Sequence, residues 1–251
     1  MDPSDAPPLL LAVDTATRVM GVALLRGETL LAEIATEGPR PHSERLLPGI
    51  DRVLALAGAA LHEVGAFAVS VGPGSFTGLR IGIATVKGFG LGDPRPVLGV
   101  PTLAALAAAA AGAPGPVAAL LDARRGEVYA AAWAGVDLVL EAPLVAESVY
   151  TPEELAESLP PDCVLVAGEG ALSAARRVNG LRASLRLATT GEVPARAERV
   201  GRLALALLAR GEGAPADALV ARYVRRAEAE VRRTGERVEG AAPGDATPEA
   251  L

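Results

Sequence analysis

Two stretches share one outline: LAVDTATRVMGVALL at residues 11–25 and ALLDARRGEVYAAAW at residues 119–133. Each is an apolar run ending in an aspartate (Asp14 or Asp122), then a four-residue turn, then a second apolar run. That is the pattern of a β-hairpin with turn chemistry between its arms. The two differ in nearly every residue, so the outline repeats rather than the sequence.

Working outward from the first hairpin, Thr29 to Thr36 supplies a third apolar run, which predicts a three-stranded meander. His42 to Gly58 places Leu46, Leu47, Ile50, Val53, Leu54 and Ala57 on one helical face, with Ser43 as N-cap and Gly58 as a stop. A strand over 66–71, a helix, a strand over 96–100 and an alanine-rich helix over 102–111 follow. The second hairpin opens the same series, with a third strand over 137–145, helices over 151–159, 171–178 and 194–210, and strands over 163–167 and 183–188. The predicted fold is α/β, two duplicated βββαβαβα halves in the actin, sugar kinase and Hsp70 (ribonuclease H-like) architecture. There the two hairpins face each other across a cleft that holds nucleotide phosphates and metal, an analogy of fold and not of function. The expected division is a flexible N-terminus over 1–8, a first unit over 9–111 completed by a helix near 217–233, a linker over 112–116, a second unit over 117–210, and a disordered tail over 234–251.

Composition narrows the function classes. The 251 residues are 50% hydrophobic and 22% charged, with a net charge of −6, which disfavours autonomous nucleic-acid binding because that needs a basic footprint. The five arginines within 217–233 read as a solvated face before a tRNA-binding arm. No apolar run approaches the ~20 residues of a membrane helix, and the N-terminus has no basic region, so a cytoplasmic protein is expected. One cysteine and two widely spaced histidines argue against a thiolate or histidine metal site.

The glycine-dense stretch VSVGPGSFTGLRIGIATVKGFG, Val69 to Gly90, is a strand, a turn and a helix. Such a turn gathers backbone N–H groups at a helix N-terminus, which suits a phosphate. The dinucleotide fingerprint is met at Gly72 and Gly74 but has Thr77 at its third position, and the P-loop pattern fails because Gly88 follows Lys87. Gly74, Gly78 and Gly82 instead recur at four-residue spacing on one helical face, behind Ser75 as N-cap. Each helical glycine costs about 1 kcal/mol relative to alanine, so close approach of another backbone, in this chain or across a subunit boundary, must offset the loss.

The segments LAVDTAT, HSERLLP, SVGPGSFTGLRIGIATVKG, VLGVPTL and LDARRGEVYAA, in this order, closely resemble the TsaB (YeaZ) family over about residues 9–230. The resemblance implies a subunit needed for N6-threonylcarbamoyladenosine at position 37 of tRNAs reading codons that begin with adenine. It also implies a heterodimer with the catalytic paralogue TsaD, recruitment of the ATPase TsaE, and contact with tRNA only through them. TsaD carries an H-x-x-x-H metal pair after the strand matching 96–100, where this chain has Thr102 and Leu106, neither of them fit to bind that metal. No catalytic or metal residue is therefore expected. The family's partner surface is carried by the helix headed by HSERLLP and the helix after GPGSFTG, which assigns Leu46, Leu47, Ile50, Leu54, Ser75, Gly78, Gly82 and Thr85 to it. Asp14, Thr15, Gly72, Gly74 and Asp122 are the residues expected near a nucleotide, with ATP or ADP at the subunit interface and none held tightly by this chain. Two alternatives remain: a nucleotide-dependent transferase using Asp14 and Asp122, and a homodimeric regulator using the glycine helix on itself.

Overall fold

The computed structural model describes residues 7–194 and 196–224. The described residues form two five-stranded sheets. In the first, β1 (Leu9–Asp14), β2 (Met20–Arg26) and β3 (Thr29–Thr36) make an antiparallel meander, and β1 pairs in parallel with β4 (Val64–Gly72), which pairs in parallel with β5 (Val97–Pro101). The second repeats this with β6 (Val117–Asp122), β7 (Val128–Trp133), β8 (Val145–Tyr150), β9 (Val164–Ala167) and β10 (Arg186–Leu187). The strand orders are β3-β2-β1-β4-β5 and β8-β7-β6-β9-β10, one topology used twice. With α1 (His42–Ala57), α2 (Phe76–Gly90), α3 (Thr102–Ala107), α4 (Pro152–Ser158), α5 (Leu172–Leu181) and α6 (Ala197–Ala209), each half reads βββαβαβα. This is the duplicated actin-like architecture that the two hairpins imply.

The central strands are apolar on both faces because helices cover both. Along β1, Leu9, Leu11 and Val13 join the cluster under α1 and α2, while Leu10 and Ala12 face the opposite layer with Ala197, Val200 and Ala204 of α6. In the second sheet, Ala118 and Leu120 of β6 face α4 and α5, while Val117, Ala119 and Leu121 face α3. The two halves therefore exchange helices: α3 of the first lies on the second sheet, and α6 of the second lies on the first. The assignment of 194–210 to the second unit is corrected accordingly. Glycine and alanine on α6 allow the approach, since Gly201 lies against Leu25 and Ala197 against Gly21. Ion pairs fix it, Arg196 to Glu33 at 3.2 Å and Arg202 to Glu28 at 3.0 Å.

Local sequence chemistry accounts for the helix ends. Gly58 closes α1 in the left-handed region at φ 63°, and Thr151 caps α4 with Glu154 in a capping box, Pro152 standing at the start. Pro41, not Ser43, precedes α1, and Ser43 lies exposed in its first turn. The third strand of the second half is β8, not 137–145, because Val136–Leu138 forms a 3-10 turn. The helix expected near 217–233 is absent from its described part: after a 3-10 turn at Ala216–Ala218 the chain runs without helix to Val224. The remainder of that helix, residues 1–6 of the N-terminus and the tail over 234–251 lie outside the described residues. No helix among the described residues is long and apolar enough to cross a membrane.

Candidate functional site

The first hairpin turn, Asp14 to Arg18, is held from every side. The Ala16 N–H and the Ser70 hydroxyl donate to Asp14 Oδ1 at 3.1 and 2.8 Å. Burial pushes the Asp14 carboxyl above its ordinary range, against the opposing effect of those two hydrogen bonds. The Ser75 N–H donates to the Ala16 carbonyl at 2.7 Å. His42 Nε2–H donates to the Thr17 carbonyl at 2.8 Å while its Nδ1 accepts from Arg45 at 3.0 Å. The histidine nearest a recognisable motif is thus a structural pin between α1 and the turn.

The glycines at the entry to α2 and along it close onto the same turn. A Cβ at Gly74 would meet the Ala16 carbonyl oxygen, one at Gly78 the Thr15 carbonyl oxygen, and one at Gly82 the Thr15 hydroxyl, all inside van der Waals contact. Ser75 is the N-cap, accepting from the Gly78 N–H at 3.2 Å. Gly78 and Gly82 therefore serve this chain's own hairpin, which corrects their assignment to a partner surface. Spacing alone identified one small face but not what lies against it.

The second turn begins alike and ends differently. The Arg124 N–H donates to Asp122 Oδ1 at 2.8 Å, as Ala16 does to Asp14. No glycine stripe covers this turn; Arg124, Arg125 and Gly126 run through φ 68°, 59° and 81°, and the Arg124 side chain is 87% exposed. Gly170 lies beside Asp122, where a Cβ would come within 2.7 Å of it.

Between the halves, Asp14, Thr17, Thr102, Glu169, Arg196 and Arg199 line a cavity of about 10 Å³. That is the room of a single water. Arg18 holds one of the cavity's lining residues, donating from its backbone N–H and its Nε to the two Glu169 oxygens at 2.8 and 2.9 Å. Of the residues expected near a nucleotide, only Asp14 faces this space. Thr15 is buried under α2, Gly72 under the Arg222 carbonyl, Gly74 under Ala16, and Asp122 lies in the other turn. The residues do not fit a nucleotide held within this cleft. Among the described residues no group of three His, Cys, Asp or Glu side chains could hold a metal ion. Cys163 is buried, its thiol pushed up to about 12 by burial, far from a nucleophile's range.

The outer face of α1 and α2 is the other candidate. Leu46, Ile50 and Leu54 are buried in this chain's core, so they are corrected as surface residues. Leu47 is 52% exposed and Ser75 is exposed, while Thr85 is half-buried with its hydroxyl on the Ile81 carbonyl at 2.9 Å. The outward stripes are Leu47, Asp51 and Ala55 on α1, and Thr77, Ala84 and Gly88 on α2. Among the described residues nothing lies within 4 Å of a Cβ built on Gly88, so none of them compensates its helical cost. The sequence marks Gly88 as a helical glycine whose cost must be offset, but spacing left it off the partner surface because it falls outside the four-residue repeat.

Comparison with known proteins places these features. The family model described as "TsaD: tRNA N6-adenosine threonylcarbamoyltransferase" matches residues 29–176. The chain is 43% identical over 122 residues to the tRNA threonylcarbamoyladenosine biosynthesis protein TsaB of Escherichia coli (strain K12), covering 48% of this chain and 52% of that one. With TsaB of Haemophilus influenzae it is 45% identical over 124 residues, covering 48% and 51%. The chain thus spans about half the length of these curated relatives. Among solved structures, YeaZ from Pseudomonas aeruginosa superposes with a TM-score of 0.73 at 35% identity, over 86% of this chain and 99% of that one. The chain belongs to the TsaB/YeaZ family, within the wider family that the TsaD model describes.

Proposed function

We propose that this chain is a non-catalytic subunit of the apparatus that forms N6-threonylcarbamoyladenosine at position 37 of tRNAs reading codons that begin with adenine. It acts in the cytoplasm as a heterodimer with TsaD and helps to recruit TsaE. tRNA is reached through those partners. The observation that supports this reading is the narrow space between the hairpins, a cavity of about 10 Å³ whose lining residue Glu169 is held by Arg18. Any ATP or ADP that the complex uses is met at the boundary with the partner. The identity with TsaB of E. coli supports the choice of pathway.

The outer face of α1 and α2 is the docking surface in this reading. Leu47 offers an apolar anchor, and the small residues Ala55, Ala84 and Gly88 let a partner helix approach closely. Reconstitution with TsaD, TsaE, threonylcarbamoyl adenylate and tRNA tests the proposal. Omitting this chain is expected to abolish modification, and Leu47→Asp is expected to abolish co-elution with TsaD while leaving the melting temperature unchanged. Full modification without this chain would refute the subunit role. A homodimer that persists and excludes TsaD would favour a self-associating regulator instead.

A further inference from the structure

A second, larger cavity of about 380 Å³ lies where the end of β5, the connection from β7 to β8, the end of α6 and the segment leading to Val224 meet. Its size falls among small-molecule sites, which span roughly 300–1,000 Å³ and favour the junctions between domains. Leu98, Trp133 and Leu207 provide an apolar wall. The charged lining residues are Glu141, Glu147, Glu212 and Arg222, three carboxylates to one guanidinium. Glu141 is engaged by Arg210 at 2.9 Å. Glu147 is 12% exposed and holds Arg222, itself 49% exposed, at 3.5 Å. This is a loose pair, and burial keeps the Glu147 carboxyl above its ordinary range despite the guanidinium.

Arg222 reaches Glu147 from the other half of the molecule. Its backbone N–H donates to the Val71 carbonyl of β4 at 2.7 Å, while its side chain crosses to β8. The guanidinium on an aliphatic stem is therefore a sample, supplied by the chain itself, of what this cavity accepts. With Glu141 paired to Arg210 and Glu147 to Arg222, one carboxylate, that of Glu212, stands in surplus, which disfavours an anion such as a nucleotide.

We propose that this cavity binds a small organic cation with an aliphatic body, of the polyamine class. Its ammonium replaces the Arg222 guanidinium on Glu147, Glu212 provides a second anionic contact, and the alkyl chain lies along Leu98 and Leu207. The site is separate from the docking face of α1 and α2, and its existence does not depend on the proposed function.

Calorimetric titration of spermidine into the full chain tests this, with AMP as the anionic control and thermal melts confirming that each variant is folded. One site is expected, weakened about tenfold or more by Glu147→Gln and by Glu212→Gln. Arg222→Ala, which removes the internal competitor, is expected to tighten binding several-fold, and AMP to give no heat. Should Glu147→Gln fail to fold, the exposed Glu212 carries the same comparison. Absence of spermidine binding would overturn the proposal. So would an affinity that Glu212→Gln leaves unchanged, the signature of diffuse attraction to an acidic chain, or weaker binding in Arg222→Ala.

Discussion

In both halves the aspartate that ends the first strand accepts a backbone N–H two residues on, from Ala16 at 3.1 Å in one turn and from Arg124 at 2.8 Å in the other. The surroundings then diverge. Asp14 and Thr15 are 2% and 0% exposed beneath the glycines of α2, whereas Arg124 stands in solvent in a left-handed conformation. The helix equivalent to α2 in the second half is α5, which has no glycine stripe to lay on its hairpin; its Gly180 meets open space. Duplication reproduced the hairpin and a glycine packed on it just before the helix (Gly74, Gly170), and two glycines on α2, Gly78 and Gly82, turned one copy into an internal support.

The largest effect expected from this contrast is at Gly78. Gly78→Val would drive a side chain into the Thr15 carbonyl, which cannot yield without moving the turn, and should cost about 3 kcal/mol or more in denaturant unfolding. A cost near zero would break the comparison. Next is Asp14→Ala, which leaves the buried Ser70 hydroxyl and Ala16 N–H without their acceptor and should cost about 2–3 kcal/mol. Asp122→Ala, in the open turn, should cost less than half as much.

Asp14 also carries a pH signature. Its folded carboxyl titrates above the unfolded value of about 3.9, so the native state holds the proton more tightly. That contribution to stability is complete below about pH 4 and is lost as pH rises through the folded value. Asp14→Asn keeps an oxygen acceptor and does not titrate. Its stability relative to the parent chain should therefore rise from about pH 4 to neutrality, which unfolding curves at several pH values would follow; a flat difference would show that burial does not perturb this carboxyl.

Smaller effects sharpen the picture at positions free of the stripe. Gly88→Ala should stabilise the isolated chain by about 1 kcal/mol, since a methyl there meets nothing within 4 Å. Arg124→Gly should add about 0.5–1 kcal/mol by relieving its positive φ, read as a rise in melting temperature. Loss of stability in either would mean that these residues make contacts the contrast does not include.

Much of this was legible in the sequence, for definable reasons. The doubled βββαβαβα order follows from periodicity and turn chemistry, which are local, and the helix cap at Ser75 follows from its position before the glycine repeat. The placement of α6 was not legible: an amphipathic helix declares that it has a buried face, not which sheet lies under it. Likewise the stripe at Gly74, Gly78 and Gly82 announced close approach, but its partner, Thr15 and Ala16, sits about sixty residues away in the chain. The clasp of Arg18 on Glu169 joins residues separated by 151 positions, and Ser70 reads as an ordinary strand residue until it meets Asp14. Leu46, Ile50 and Leu54 went to the core because a single apolar stripe on α1 cannot serve both its own sheet and a partner.

In the proposed function the chain holds no nucleotide between its hairpins and acts through the outer face of α1 and α2. Calorimetric titration of magnesium ATP into the isolated full chain tests it most directly. No heat beyond dilution is expected up to about 1 mM nucleotide. A submillimolar affinity that Asp14→Asn abolishes would contradict it, because the nucleotide would then be entering the space that Asp14 and Glu169 line.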